Sequence, residues 1–386
     1  MSSFEAQSSD ESTIRMRLLF CLLLASAAAF HTPSSSRPSL RLFSAAVKTK
    51  TLGLLTFDLD DTLYPIQPVL DEANAAFARA MDSFGYKGIQ PSDINEASKK
   101  IRQEIAEENP EKAAVLTHTE IRKLAIRREM ERITLERKLQ SCADDWATPV
   151  TDLSPVVVQH AKKWSKEAVS ASIVQAVLNA WEMERHHAAE RHLYPECIDV
   201  LQRIREEHPG VIIGAVTDGK ANPLLMTFTL APYFDFCISW EDDQAGRQQF
   251  FKELSSVSGN ADLKWIYDAA LEKGKELWDA AARLKKGEES ASPEEWVWIH
   301  CGDDLAYDVG GAQVSGGKAI YFELDEKYGQ TARTRFEKDE QPSWSTSLGV
   351  ELMRRKVMNE AAEERIDKKI KFLSRLPEAI EEVLEE

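Results

Sequence analysis

Leu52-Gly53-Leu54-Leu55-Thr56-Phe57-Asp58-Leu59-Asp60-Asp61-Thr62-Leu63-Tyr64-Pro65 is the stretch that decides the fold. Its first residues form a short apolar run, the pattern of a strand buried on both faces of a parallel sheet. At the end of the run stand Asp58 and Asp60, spaced so that both carboxylates converge on one side of the loop. The carboxyl edge of an open α/β sheet is where such folds hold their ligands. One carboxylate can attack phosphorus while the other gives a proton to the leaving alkoxide and later takes one from water. Two anions beside an anionic phosphate would repel it, so a hard cation such as Mg²⁺ is needed to join them. On this logic Asp58 is nucleophile and metal ligand, Asp60 is acid/base and a ligand through its backbone carbonyl, and Thr62 fixes the loop. The competing reading is an acidic turn that merely ends a strand, because Asp side chains bond their own backbone in turns.

Two further stretches repeat the design. Val211-Ile212-Ile213-Gly214-Ala215-Val216 reads as a strand after a helix over 196–207 and a Pro209-Gly210 break. It runs into Thr217-Asp218-Gly219, a hydroxyl and tight-turn amides suited to phosphoryl oxygens. Trp296-Val297-Trp298-Ile299-His300-Cys301 reads as another strand and runs into Gly302-Asp303-Asp304-Leu305-Ala306-Tyr307-Asp308-Val309-Gly310-Gly311-Ala312. Acidic residues there also suit the N-terminus of a following helix.

The string Phe57 to Pro65 resembles the first motif of the haloacid dehalogenase (HAD) superfamily at nearly every position, and Thr217 and Gly302–Ala312 resemble its second and last. The resemblance covers about Leu52 to Phe322 and implies a Rossmann-like α/β parallel-sheet core with an inserted α-helical cap. It implies Thr217 as phosphate binder with Asp218 and Gly219, and Asp303 and Asp308 completing the metal shell, with Asp304 able to share that task. The family's third motif supplies a Lys that neutralises nucleophile and phosphate. Here no Lys-Pro follows Ile238-Ser239-Trp240-Glu241-Asp242-Asp243. Lys264, just before the helix expected at Ile266–Glu272, is the first candidate, with Lys252 and Arg247 as alternatives. Phe57–Pro65, Val216–Pro223 and Gly302–Ala312 look most like a branch of capped phosphatases whose bacterial members act on FMN and the phosphorylated aminouracil intermediate of riboflavin synthesis. A sugar-phosphate phosphatase is the close rival, and a catalytically silent binding protein on the same scaffold is the alternative from another class. Relatives that act as dehalogenases lack the second Asp that Asp60 supplies.

About 150 residues separate Pro65 from Thr217, far more than one crossover helix needs. Helical apolar spacing over 73–84, 94–108, 119–139 and 156–183 makes this insert α-helical. The expected divisions are a presequence at 1–50, a discontinuous core at 51–65 and 194–350, the cap at 66–193 and a helical appendage at 351–386. In the cap, Leu116–Lys123 carries His118 and Arg122, which suit substrate contact if that helix faces the site and are ordinary solvated charges otherwise.

Bulk properties agree with a small anionic substrate. The chain has 386 residues, 43% hydrophobic and 29% charged, with a net charge of -16 that disfavours nucleic acid. Cys21, Cys142, Cys197, Cys237 and Cys301 are scattered, without zinc or disulfide spacing. Arg15 to Leu24 has the grammar of a signal peptide, followed by small residues at 25–29, and 30–50 is Ser-rich and basic without one acid. This two-part pattern leads us to expect plastid import, with the secretory pathway as the alternative, either Met1 or Met16 as start, and no membrane anchor in the mature form. The oligomeric state is open.

Overall fold

A computed structural model describes residues 50–241, 264–284, 296–330, 345–347 and 349–386. The presequence, Arg247 and Lys252 lie outside the described residues. In chain order the elements are β1 (Thr51–Phe57), α1 (Ile66–Ser83), α2 (Pro91–Glu108), α3 (Pro110–Val115), α4 (His118–Asp145), α5 (Pro155–Ala168), α6 (Ala171–Arg191), α7 (Cys197–Glu207), β2 (Ile212–Thr217), β3 (Phe236–Ser239), α8 (Lys264–Leu284), β4 (Trp296–Gly302), α9 (Gly310–Val314), β5 (Lys318–Phe322), α10 (Gly349–Glu363), β6 (Lys368–Ile370) and α11 (Leu376–Glu385).

The strands form one six-stranded sheet in the order β3-β2-β1-β4-β5-β6. Every pairing is parallel. The chain winds outward from β1 in one direction and from β4 in the other, so the junction of β1 and β4 is a topological switch point, where the loops diverge and leave a crevice. Asp58 and Asp303 follow these two neighbouring strands, and the Asp58 N–H donates to the Cys301 carbonyl at 2.9 Å.

Both sheet faces are covered, which explains why the strands read as continuous apolar runs rather than alternating ones. On one face Leu55, Phe57, Ile213 and Ile299 join a cluster with Leu201 of α7 and Ile380 of α11. On the other, Leu54, Val216 and Trp298 pack with Ile266, Tyr267 and Ala270 of α8. The insert has a core of its own, including Phe77, Met130, Val177 and Trp181.

Local chemistry sets the helix ends. Thr117 opens α4 through a reciprocal pair of bonds, its hydroxyl accepting from Glu120 N at 3.0 Å and its N–H donating to Glu120 Oε2 at 2.9 Å. The single helix expected over 156–183 is two, because Val169 turns extended and buries in the insert's core while Ser170 opens α6.

The C-terminal segment also departs from the expected appendage. Lys368–Ile370 pairs with β5 as an edge strand, and Leu376, Ile380, Val383 and Leu384 of α11 enter the sheet's core. Asp367 fixes the join, its carboxylate accepting from Ala319 N at 2.8 Å and pairing with Lys318 at 2.9 Å. Two lysines in a three-residue strand suit a sheet edge, where charge discourages pairing with another chain. They also hid the strand inside a charged stretch. Among the described residues no helix is long and apolar enough to cross a membrane.

Candidate active site

The loop after β1 is bent by Asp61, whose φ of 59° is left-handed and rare for a residue with a Cβ. Its surroundings hold it there. The Asp61 carboxylate accepts from Ile66 N at 2.9 Å, and its carbonyl accepts from Tyr194 Oη at 3.3 Å and Gln330 Nε2 at 3.0 Å. This bend lets Asp58 and Asp60 both face a cavity of about 140 Å³. Neither the strain nor the role of Asp61 was legible in the sequence.

Asp58, Asp303 and Asp308 come together, each offering one oxygen within 4.8 Å of the others. Thr62, buried behind them, donates to Asp303 Oδ1 at 3.2 Å and stands 3.4 Å from Asp58 Oδ2. Asp308 is held from three sides: Tyr267 Oη donates to its Oδ1 at 3.1 Å, Asp304 N donates to its Oδ2 at 2.8 Å, and His300 Nε2 lies 3.3 Å from Oδ1. Trp298 Nε1 can only donate, so at 2.8 Å it occupies Thr56 Oγ1 as acceptor. Thr56 Oγ1 also lies 2.8 Å from His300 Nδ1, so one buried polar chain runs from Trp298 through Thr56 and His300 to Asp308.

Two glycines make room for this packing. A Cβ at Gly302 would collide with the Asp308 carboxylate, and one at Gly311 with the Tyr267 ring. Both belong to the last motif, which is therefore a device for seating Asp308 as much as a source of ligands.

Burial is the main cause that pushes the Asp58 carboxyl well above its usual range, and Asp308, Asp303, Asp60 and Asp218 add to it. A buried, all-oxygen cluster in which Asp58 is pushed toward its neutral form suits a hard divalent cation. Asp58, Asp303 and Asp308 are placed so that each could give a side-chain oxygen to such a cation.

Asp60 turns away from this cluster. Its Oδ2 pairs with Arg185 Nη2 from α6 of the insert. Burial pushes the Asp60 carboxyl up, while Arg185 pulls it down. The second strand end lies alongside. Asp218 and Gly219 line the cavity, whereas Thr217, the expected phosphate binder, is buried outside its lining with its hydroxyl accepting from Gly219 N at 3.2 Å.

Lys264 is not brought to the carboxylates. It begins α8, paired with Asp268 one turn on at 2.9 Å, and lies outside the cavity lining. Helix spacing explains this, since Lys and Asp at i,i+4 meet on the helix surface, while Ile266 and Tyr267 are the residues α8 turns inward. Among the described residues, the arginines and lysine that line the cavity are Arg122 and Arg185 from the insert, Lys220 from the loop after β2, and Arg355 from α10. Arg355 pairs with Asp304 and lies over the Tyr307 ring at 4.3 Å, which ties Asp304 to a structural partner.

The insert's face of the cavity is built on Trp181. Its Nε1 donates to Asn74 Oδ1 at 3.0 Å, and the Arg122 guanidinium lies 3.8 Å from its ring centre. Burial lowers the Arg122 pKa to about 10. Thr119, beside His118, bonds Glu241 beyond β3, closing the insert against the sheet. His118 and Arg122, suggested by sequence, line the cavity; Trp181, Arg185 and Glu241 were missed because single residues on amphipathic helices and loops carry no motif.

No family model matches the chain. The chain is 26% identical over 272 residues to the 5-amino-6-(5-phospho-D-ribitylamino)uracil phosphatase YigB of Escherichia coli, spanning 70% of this chain and 83% of that protein. Solved structures similar to it include a 2-haloacid dehalogenase from Pseudomonas syringae pv. Tomato, at 18% identity and a TM-score of 0.40, covering 86% of this chain and 99% of that one. Another is a beta-phosphoglucomutase from Clostridium difficile, at 8% identity and a TM-score of 0.36, covering 87% and 98%. The motif residues at the ends of β1, β2 and β4, gathered by one parallel sheet, are similar to those of the haloacid dehalogenase superfamily, and the similarity to the Escherichia coli phosphatase agrees with that resemblance.

Proposed function

We propose that this chain is a Mg²⁺-dependent phosphomonoester hydrolase that works through a phosphorylated Asp58. The observation that carries the reading is the buried trio of Asp58, Asp303 and Asp308 beside a separately held Asp60. Two carboxylates in different environments can play different parts in one reaction. Bound Mg²⁺ would screen the phosphate from the carboxylates and offset charge that builds on its oxygens.

Asp58 attacks phosphorus and forms an acyl phosphate as the bond to the leaving oxygen breaks. Asp60 gives that oxygen its proton. Water then attacks the same phosphorus, Asp60 takes the water's proton, and phosphate departs with Asp58 regenerated. The amides around Thr217–Gly219 suit the phosphoryl oxygens. The insert excludes water and meets the leaving group, so its face selects the substrate.

The named activity of the Escherichia coli relative makes the phosphorylated aminouracil of riboflavin synthesis, with FMN, the first substrates to try. A sugar phosphate is the next class. Residues 16–50 carry the proposal of plastid import, where riboflavin synthesis in photosynthetic organisms would place such an enzyme. The test is phosphate release from a panel of phosphomonoesters that includes FMN, with Mg²⁺ and then with EDTA. Metal-dependent release lost in Asp58→Asn supports the mechanism. No release from any compound would favour a silent binding protein.

A further inference from the structure

The cavity needs a cation at the phosphate, and Lys264, the first candidate among the described residues, does not stand there. Lys264 faces Asp268 instead. Arg185 comes from the opposite wall. Its side chain is only 5% exposed, deep for a residue that carries a permanent charge. One of its nitrogens, Nη2, is spent on Asp60. The same nitrogen lies 3.4 Å from where a Cβ on Gly219 would stand, so the guanidinium spans the loops after β1 and β2. Its Nε and Nη1 are buried with no hydrogen-bond partner among the described residues.

Buried donors of a charged group are costly to leave unmet and are nearly always satisfied in folded proteins. The planar fork of Arg suits the oxygens of a phosphate, which it can meet with two parallel donors. Asp60 cannot be the sole reason for Arg185, because pairing with it uses one nitrogen and leaves the rest of the fork unpartnered.

We infer that Arg185 is a substrate-contacting residue that binds the phosphoryl group through Nε and Nη1, so that the helical insert supplies the guanidinium at the reaction centre. The inference rests on the phosphatase reading and adds a consequence. Withdrawal of the insert would remove this charge from the site, so phosphate binding and closure of the insert become one event. Asp60 and the phosphate would then share one guanidinium, which links the acid/base group to the phosphoryl site.

The experiment compares wild type, Arg185→Gln and Arg185→Lys by calorimetric titration with inorganic phosphate in the presence of Mg²⁺, and by hydrolysis of p-nitrophenyl phosphate. Arg185→Gln is expected to weaken phosphate binding about tenfold, the scale of a lost bond to a charged group. It should lower kcat/KM by roughly 10²–10³, the usual loss for one donor to a developing charge. Arg185→Lys keeps the charge without the fork and should fall between the two. If Arg185 only positions Asp60, Arg185→Gln lowers kcat while phosphate affinity stays within about threefold of wild type, which overturns the assignment. Should Arg185→Gln melt far below wild type, Arg185→Lys decides alone, and wild-type phosphate affinity in it also overturns the assignment. A wild type that binds phosphate but hydrolyses no ester would sink the phosphatase reading, whereas loss of that binding in Arg185→Gln would still uphold the site.

Discussion

The two walls of the cavity are built on different principles. The sheet wall is a set of carboxylates at fixed strand ends, held by backbone amides, Thr62, Tyr267 and His300. The insert wall is a set of cations and an indole on helices, held by packing on a separate core. The sheet wall gathers three buried acids, while the insert wall carries Arg185 donors with no partner among the described residues. Acids on one wall and guanidinium groups on the other are the two halves that a metal-bound phosphate would engage in the proposed reaction.

The largest effect should come from the insert wall. Trp181 is 2% exposed and anchors both Asn74 and the Arg122 stack. Trp181→Ala should destabilise the protein by about 3–5 kcal/mol, the usual range for deleting a buried Trp, and raise KM through the displaced Arg122. Denaturant melts followed by kinetics at a permissive temperature check it; a stable variant with unchanged KM would mean the indole does not organise this wall.

The sheet wall predicts an effect of opposite sign. Because burial and neighbouring acids raise the Asp58 carboxyl, the fold favours its protonated form. Stability tied to this group is present below the carboxylate pKa of the unfolded chain and is lost as pH rises through the raised value. In EDTA at neutral pH, Asp58→Asn should therefore melt a few degrees above wild type, and the gap should close on acidification. Added Mg²⁺ should raise the wild-type melting temperature more than that of Asp58→Asn. Equal metal responses would argue against Asp58 as a ligand.

The smallest effect separates the walls from the surface. Lys264 is 38% exposed in an i,i+4 pair, so Lys264→Ala should cost about 0.3–0.5 kcal/mol and leave kcat/KM within about twofold. A loss of about a hundredfold would restore Lys264 as the neutralising cation and displace Arg185 from that part.

This contrast also explains what could be read from the sequence. Asp58, Asp60, Thr217, Asp303 and Asp308 follow apolar runs whose length and burial are dictated by a parallel sheet, so the motif and its position in the fold are one signal. Arg185 and Trp181 sit on α6 among ordinary charges, and which of them turns inward depends on how α6 packs against α1, a tertiary fact. Strand β6 was hidden because three residues with two lysines carry no period, and its place depends on Asp367 meeting the start of β5.

The most direct test of the account is to trap the enzyme during turnover. Wild type mixed with Mg²⁺ and its best phosphomonoester is quenched in acid, digested and mapped by mass spectrometry. The account predicts a phosphoryl adduct on the peptide containing Asp58, acid-stable, sensitive to hydroxylamine and missing from Asp58→Asn. Continued turnover by Asp58→Asn, or wild-type turnover with the adduct on a different residue, would contradict it.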